Sequence, residues 1–218
     1  MEQTTLKYLR ILIPGLIFYL GLFPIAKFYI GSSYDIKSLD FAYVTVFSLL
    51  IGAIYDQFNL RYIVIKPSGY FIDKSIFNRL LSIYNKQINP SQKDYLKKDR
   101  KYMHVFYKLL DNDESLKKKT NNVYFNGIFW TSSADLLLIS FVFWYVYRWR
   151  FVQIDHALLF SDLFLILAGL AMILHILSVW KHRRLSNDQL GFIAIYKRTE
   201  VVNDFDNILQ QMPPANNE

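Results

Sequence analysis

Apolar and charged positions are segregated along this chain rather than interleaved, and the segregation predicts membrane-spanning helices. Residues 127–147 form the clearest run, uncharged except for Asp135. A run of about 20 apolar residues lets a helix cross the roughly 30 Å hydrocarbon core of a bilayer. Phe129 and Trp130 lie near one end, and Trp144, Tyr145, Tyr147 and Trp149 crowd the other. Their half-polar rings favour the headgroup level, so they mark the two interfaces. Residues 11–30, preceded by Lys7 and Arg10, form another apolar run. It is long for a signal-peptide core and lacks a small-x-small cleavage site, so it reads as a retained signal anchor. Pro14 and Pro24 lie within it, and a bend is expected at Pro24.

Residues 41–55 are apolar over only about 22 Å of helix, too short to cross comfortably. The expected span therefore continues through Asp56, Gln57, Asn59 and Arg61 toward Ile65, with Asp56 and Asn59 on one face and Arg61 reaching the interface. The last run covers residues 157–180, with Asp162 near its start and His175 near its end, and Lys181, Arg183 and Arg184 stop it.

Between the second and third spans the pattern changes to that of amphipathic helices. Ile76, Phe77, Leu80, Leu81 and Tyr84 form one helical stripe, with Asp73 as its N-cap. Asn89-Pro90-Ser91-Gln92 signals a second helix start: a cap, a proline in the first turn and an amide three residues after the cap. That helix places Leu96, Met103, Phe106 and Leu110 on one side, and Asp111-Asn112-Asp113 ends it. Residues 185–211 read equally as helix or strand, and 213–218 as a frayed end. The expected fold class is all-α, with four transmembrane helices and a cytosolic helical hairpin between the second and third. The corresponding segments are 1–65, 66–125, 126–180 and a tail at 181–218.

Composition adds an orientation. The net charge is +7, with 53% hydrophobic and 17% aromatic residues. Segments 1–10, 66–125 and 181–218 carry 20 Lys or Arg, whereas 31–40 and 148–156 carry 3. Positively charged loops stay in the cytoplasm, which places both termini and the large loop there and the protein in a plasma or inner membrane. There is no cysteine, and hence no disulfide, thiolate metal site or cysteine-linked lipid.

Two sets of residues carry candidate chemistry. Asp135 lies five residues after Trp130, and His175 five before Trp180, so both fall roughly 7 Å inside one interface. With Asp56 and Asn59 they make an intramembrane polar group that either packs helices through hydrogen bonds or carries a proton or cation. The second set is basic: Lys97, Lys101, His104 and Lys108 on one helix face, then Lys117, Lys118 and Lys119. This set is suited to an ordinary cytoplasmic flank, to anionic lipid, or to a phosphorylated ligand or acidic protein. Interleaved Tyr and Lys would also suit single-stranded nucleic acid, but an amphipathic helix gives that pattern without one.

No nucleophile, metal or phosphate-loop motif is present, so neither enzymatic activity nor a cofactor is expected. The expected function is a non-enzymatic, self-associating membrane subunit that senses or recruits a cytosolic partner or anionic ligand through its basic loop. The alternative is an oligomeric ion pathway or membrane-permeabilising effector, by architectural analogy with bacterial stress and antiviral systems, using Asp56, Asp135 and His175.

Overall fold

The computed structural model describes residues 3–30 and 41–213. The loop at 31–40, with Asp35, Lys37 and Asp40, and the end at 214–218 lie outside the described residues. The described chain is all-helical: α1 (Gln3–Ile30), α2 (Phe41–Gln57), α3 (Tyr62–Tyr84), α4 (Pro90–Lys97), α5 (Lys101–Asp111), α6 (Glu114–Tyr145), α7 (Ala157–Tyr196) and α8 (Arg198–Gln210). Three helices are long and apolar enough to cross a membrane, in Tyr8–Tyr29, Glu114–Arg150 and Ala157–Tyr196, and a shorter apolar helix covers Tyr43–Gln57. The chain divides into two compact units, residues 1–68 with 125–179, and residues 69–124 with 180–218.

In the first unit, α1 and α2 form a close antiparallel pair. Two glycines allow it. A Cβ on Gly15 would fall on the Ser48 carbonyl, and one on Gly52 would fall on the Ile11 carbonyl. With no hydrophobic force between helices in lipid, close backbone approach of this kind is a main source of packing energy. α6 is the central helix: half of its apolar window is buried, against 17% for α1 and 28% for α7. Phe143 and, in the π-helical turn Val146–Arg150 that follows α6, Tyr147 form an aromatic centre, with Phe143 edge-on to Phe18 and stacked at 5.2 Å on Phe164. The buried Tyr147 hydroxyl donates to the Gly21 carbonyl at 2.7 Å, in the turn where Pro24 disrupts the helical ladder. α1 nevertheless continues as one helix through both prolines. α7 buries only a narrow seam, including Ser161, Phe164, Ala168, Ala171, His175 and Ser178. That spacing of three and four is one stripe of a helix, and most of the Leu and Ile residues between are exposed.

The second unit joins the loop and the tail around a separate core, in which Leu80, Leu96, Leu109, Leu116, Val201 and Phe205 are almost wholly buried. Asn89 caps α4 reciprocally with Gln92, at 2.8 and 3.0 Å, as the motif predicts. α8 is fastened by Lys108 to Asp204 at 2.7 Å and by the Tyr84 hydroxyl to Asp206 at 2.7 Å.

Several boundaries differ from the sequence pattern. α2 does not continue toward Ile65. It ends at Gln57, and a turn with Asn59 at φ 48° leads into α3. Seventeen residues give α2 about 26 Å, short of a full hydrocarbon core. Asp73 is not an N-cap but lies inside α3, where it accepts from Arg100 at 2.8 Å. The expected second amphipathic helix is broken into α4 and α5 by left-handed Asp99 and Arg100. α7 runs on through Lys181, Arg183 and Arg184 to Tyr196, so those charges end the apolar run and not the helix. The ambiguous tail is helical.

Candidate functional site

Asp135 is 1% exposed on α6, and its partner is Arg61, 7% exposed in the turn before α3. Arg61 Nε lies 3.3 Å from Asp135 Oδ1, an ion pair in a setting where either charge alone would be costly. Arg61 Nη2 also lies 3.1 Å from Asp56 Oδ1 and donates to the Arg10 carbonyl at 3.0 Å. The guanidinium stands 5.9 Å from the Tyr55 ring centre, and the Tyr55 side chain also faces the Asp135 carboxylate. Arg61 therefore ties α1, the end of α2 and α6 together. The turn at Asn59 returns the chain and buries the guanidinium among these helices.

His175 belongs to a different network. Trp130 Nε1 donates to Ser68 Oγ at 3.0 Å, and Ser68 donates its own hydrogen to the Ile65 carbonyl at 3.0 Å. With that hydrogen committed, His175 Nε2, 3.2 Å from Ser68 Oγ, is assigned as the donor. Nδ1 lies 3.2 Å from Ser133 Oγ, whose single hydrogen goes to either Nδ1 or the Trp130 carbonyl at 2.9 Å. Of the sequence-predicted polar residues, the structure brings Asp56 to Asp135 through Arg61, leaves Asn59 exposed in the turn, and gives His175 to two serines. Asp135 and His175 occur in no shared contact. Ser133 explains the difference: two residues earlier on α6, it faces about 160° away from Asp135. Tyr55, Arg61 and Ser68 are site residues that the sequence pattern does not mark. A lone arginine between two apolar runs is the one available signal.

Several basic residues of the second unit are committed to neighbours. Lys97 lies 3.7 Å from Asp94 and over the Phe77 ring, and Lys101 lies 3.5 Å from Asp99 and over Tyr95. Lys108 holds Asp204, while His104, Lys117 and Lys118 are exposed. Lys119 lies over Phe192 and lines a cavity of about 410 Å³ with Asn122, Asn187 and Asp188. Surface pairs of this kind are individually weak, so their lysines stay available to an anionic partner.

The Lys86 ammonium and Tyr84 hydroxyl hold the Asp206 carboxyl below the ordinary value of 3.8. Burial, with Asp206 beside it, pushes Tyr84 up to about 12. A depressed carboxyl contributes its stability above the unfolded value and loses it as pH falls through the folded one. Docking of α8 should therefore loosen below pH 3.8, and Asp206→Asn should remove that part of the acid sensitivity. Hydrogen exchange of α8 amides across acidic pH measures it; identical profiles for both proteins would reject the assignment.

Among the described residues, no group of three or more His, Cys, Asp or Glu is placed to hold a metal ion. Compared with known proteins, the chain matches no family model, no curated protein and no solved structure.

Proposed function

We propose that this chain is a non-enzymatic integral membrane subunit that presents a basic helical module to an anionic partner in the cytoplasm. One observation carries the reading: the loop 69–124 and the tail 180–218 pack into one compact unit. Segments that share a core share a side of the membrane, and these two hold most of the basic residues. An even number of crossings between them follows, supplied by α6 and α7. The paired helices α1 and α2 are read as two further crossings, with α2 short enough to require local thinning of the bilayer. Four spans, both termini cytoplasmic and a plasma-membrane location complete the proposal.

The two buried networks support a scaffold rather than an ion path, since Asp135 is paired with Arg61 and His175 lies against two serines. The absence of native cysteine permits a direct test of topology. Cysteines placed at Ser91 and Asn207, with Ser91 exposed and Asn207 on the outer part of α8, should resist an impermeant thiol reagent in intact cells and react after lysis. A cysteine at the exposed Gln153 should react in intact cells. Labelling of the Ser91 and Asn207 positions on opposite sides would refute the shared module.

A further inference from the structure

Several cations in the second unit face a carboxylate; two that do not, Arg79 and Arg198, share a cavity. Arg79 on α3 and Arg198 in the first turn of α8 line an open surface pocket of about 280 Å³, with Ser82, Ile83, Asn85 and Ala194. Neither arginine has an acidic partner among the described residues. The acids along the same segments are committed elsewhere: Asp206 to Lys86 and Tyr84, and Glu200 to Lys197 at 2.9 Å. Both arginines are exposed, and a pocket lined by two guanidinium groups and no carboxylate favours an anion. Around them stand a serine hydroxyl and the side-chain amide of Asn85, groups that can donate to oxygen.

From this we infer that the cavity is a binding site for a phosphate monoester, held between the Arg79 and Arg198 forks. Guanidinium groups match phosphate oxygens in pairs, which an ammonium cannot do. Arg198 adds a second favourable element, because the first turn of a helix carries partial positive charge. The cavity has room for the phosphate together with a small glycerol- or sugar-sized body. The phosphate could come from a soluble metabolite or from a lipid headgroup, and the two sources share this chemistry. The inference rests on the proposed role of the basic module and names its ligand class.

The test uses the full chain in phosphatidylcholine nanodiscs, titrated calorimetrically with glycerol 3-phosphate. A parallel arm measures retention of phosphatidic acid, which carries the same monoester on a lipid. Binding in the first arm identifies a soluble ligand, and binding in the second alone identifies a headgroup. In whichever arm binds, Arg79→Gln and Arg198→Gln should each weaken affinity about tenfold. Arg79→Lys should weaken it less, because charge remains while the fork is lost. Lys74→Gln combined with Lys93→Gln, two exposed lysines outside the pocket, removes as much charge as both arginine changes and should leave affinity within about twofold. Equal losses in the lysine and arginine variants would overturn the site while keeping a diffuse cationic surface. No binding in either arm would also overturn the site. The broader reading is judged separately, by the thiol labelling, which does not depend on ligand.

Discussion

Replacing Arg61 with Leu should cost about 3–5 kcal/mol of stability, because Asp135 would remain 1% exposed with its counter-charge gone. The guanidinium also satisfies the Arg10 carbonyl and Asp56, so one change unfastens three segments. Asp135→Leu should cost less, since Arg61 keeps Asp56 at 3.1 Å and the Arg10 carbonyl at 3.0 Å. The two changes together should cost less than their sum, since no buried charge is then left alone. Thermal unfolding of the purified variants in detergent, followed by size exclusion, supplies the four corners of this cycle. Strict additivity would mean that the pair is not coupled. Asp135→Asn is the more conservative probe. It should retain the fold better than Asp135→Leu, because the amide keeps the shape of the carboxylate and a polar oxygen facing Arg61.

The second large effect is expected at the two glycines. Gly15→Leu or Gly52→Leu should separate α1 from α2, since even the first added carbon would meet a backbone carbonyl that cannot rotate away. Overpacking costs about 1–3 kcal/mol where neighbours can shift, and more where they cannot. Even Gly15→Ala and Gly52→Ala should destabilise. Gly169 is the built-in comparison: nothing lies within 4 Å of a Cβ there. Gly169→Ala should be neutral or gain up to about 1 kcal/mol of helix propensity. Cross-linking of cysteines introduced on α1 and α2 would report the separation directly. Normal cross-linking in Gly15→Leu would show that the helices do not meet as closely as described.

Features set by neighbours along the chain are legible in the amino-acid sequence alone. The capping box at Asn89 and Gln92 needs only residues three apart, and aromatic rings mark an interface wherever the backbone carries them. Partner choice is not legible, because depth fixes only one of the two coordinates that contact requires. The expected depths of Asp135 and His175 match, but the helical rotation that gives Ser133 to His175 turns Asp135 toward Arg61. The role of Arg61 is hidden for a different reason: reaching Asp135 depends on Asn59 adopting a left-handed conformation. Asparagine tolerates that conformation better than most residues, yet nothing in the sequence obliges it to do so here. The tail is ambiguous because its apolar residues pack against distant ones. Phe205 shows its purpose only once Tyr84 is beside it, with ring centres 5.3 Å apart.

The order in which the chain is made gives the Arg61 cluster a further consequence. Asp135 follows Arg61 by 74 residues. At synthesis rates of roughly 5–20 residues per second, the arginine must wait about 4–15 s for its buried partner. The ligands it uses meanwhile are already made: Asp56 five residues earlier, the Arg10 carbonyl and the Tyr55 ring. The first hairpin thus carries its own provisional counter-charge, and the arrival of α6 adds to a shared, half-exposed carboxylate a second, buried one. A nascent chain truncated before α6 should accordingly depend on Asp56 for stable insertion, whereas the finished protein should depend on it much less.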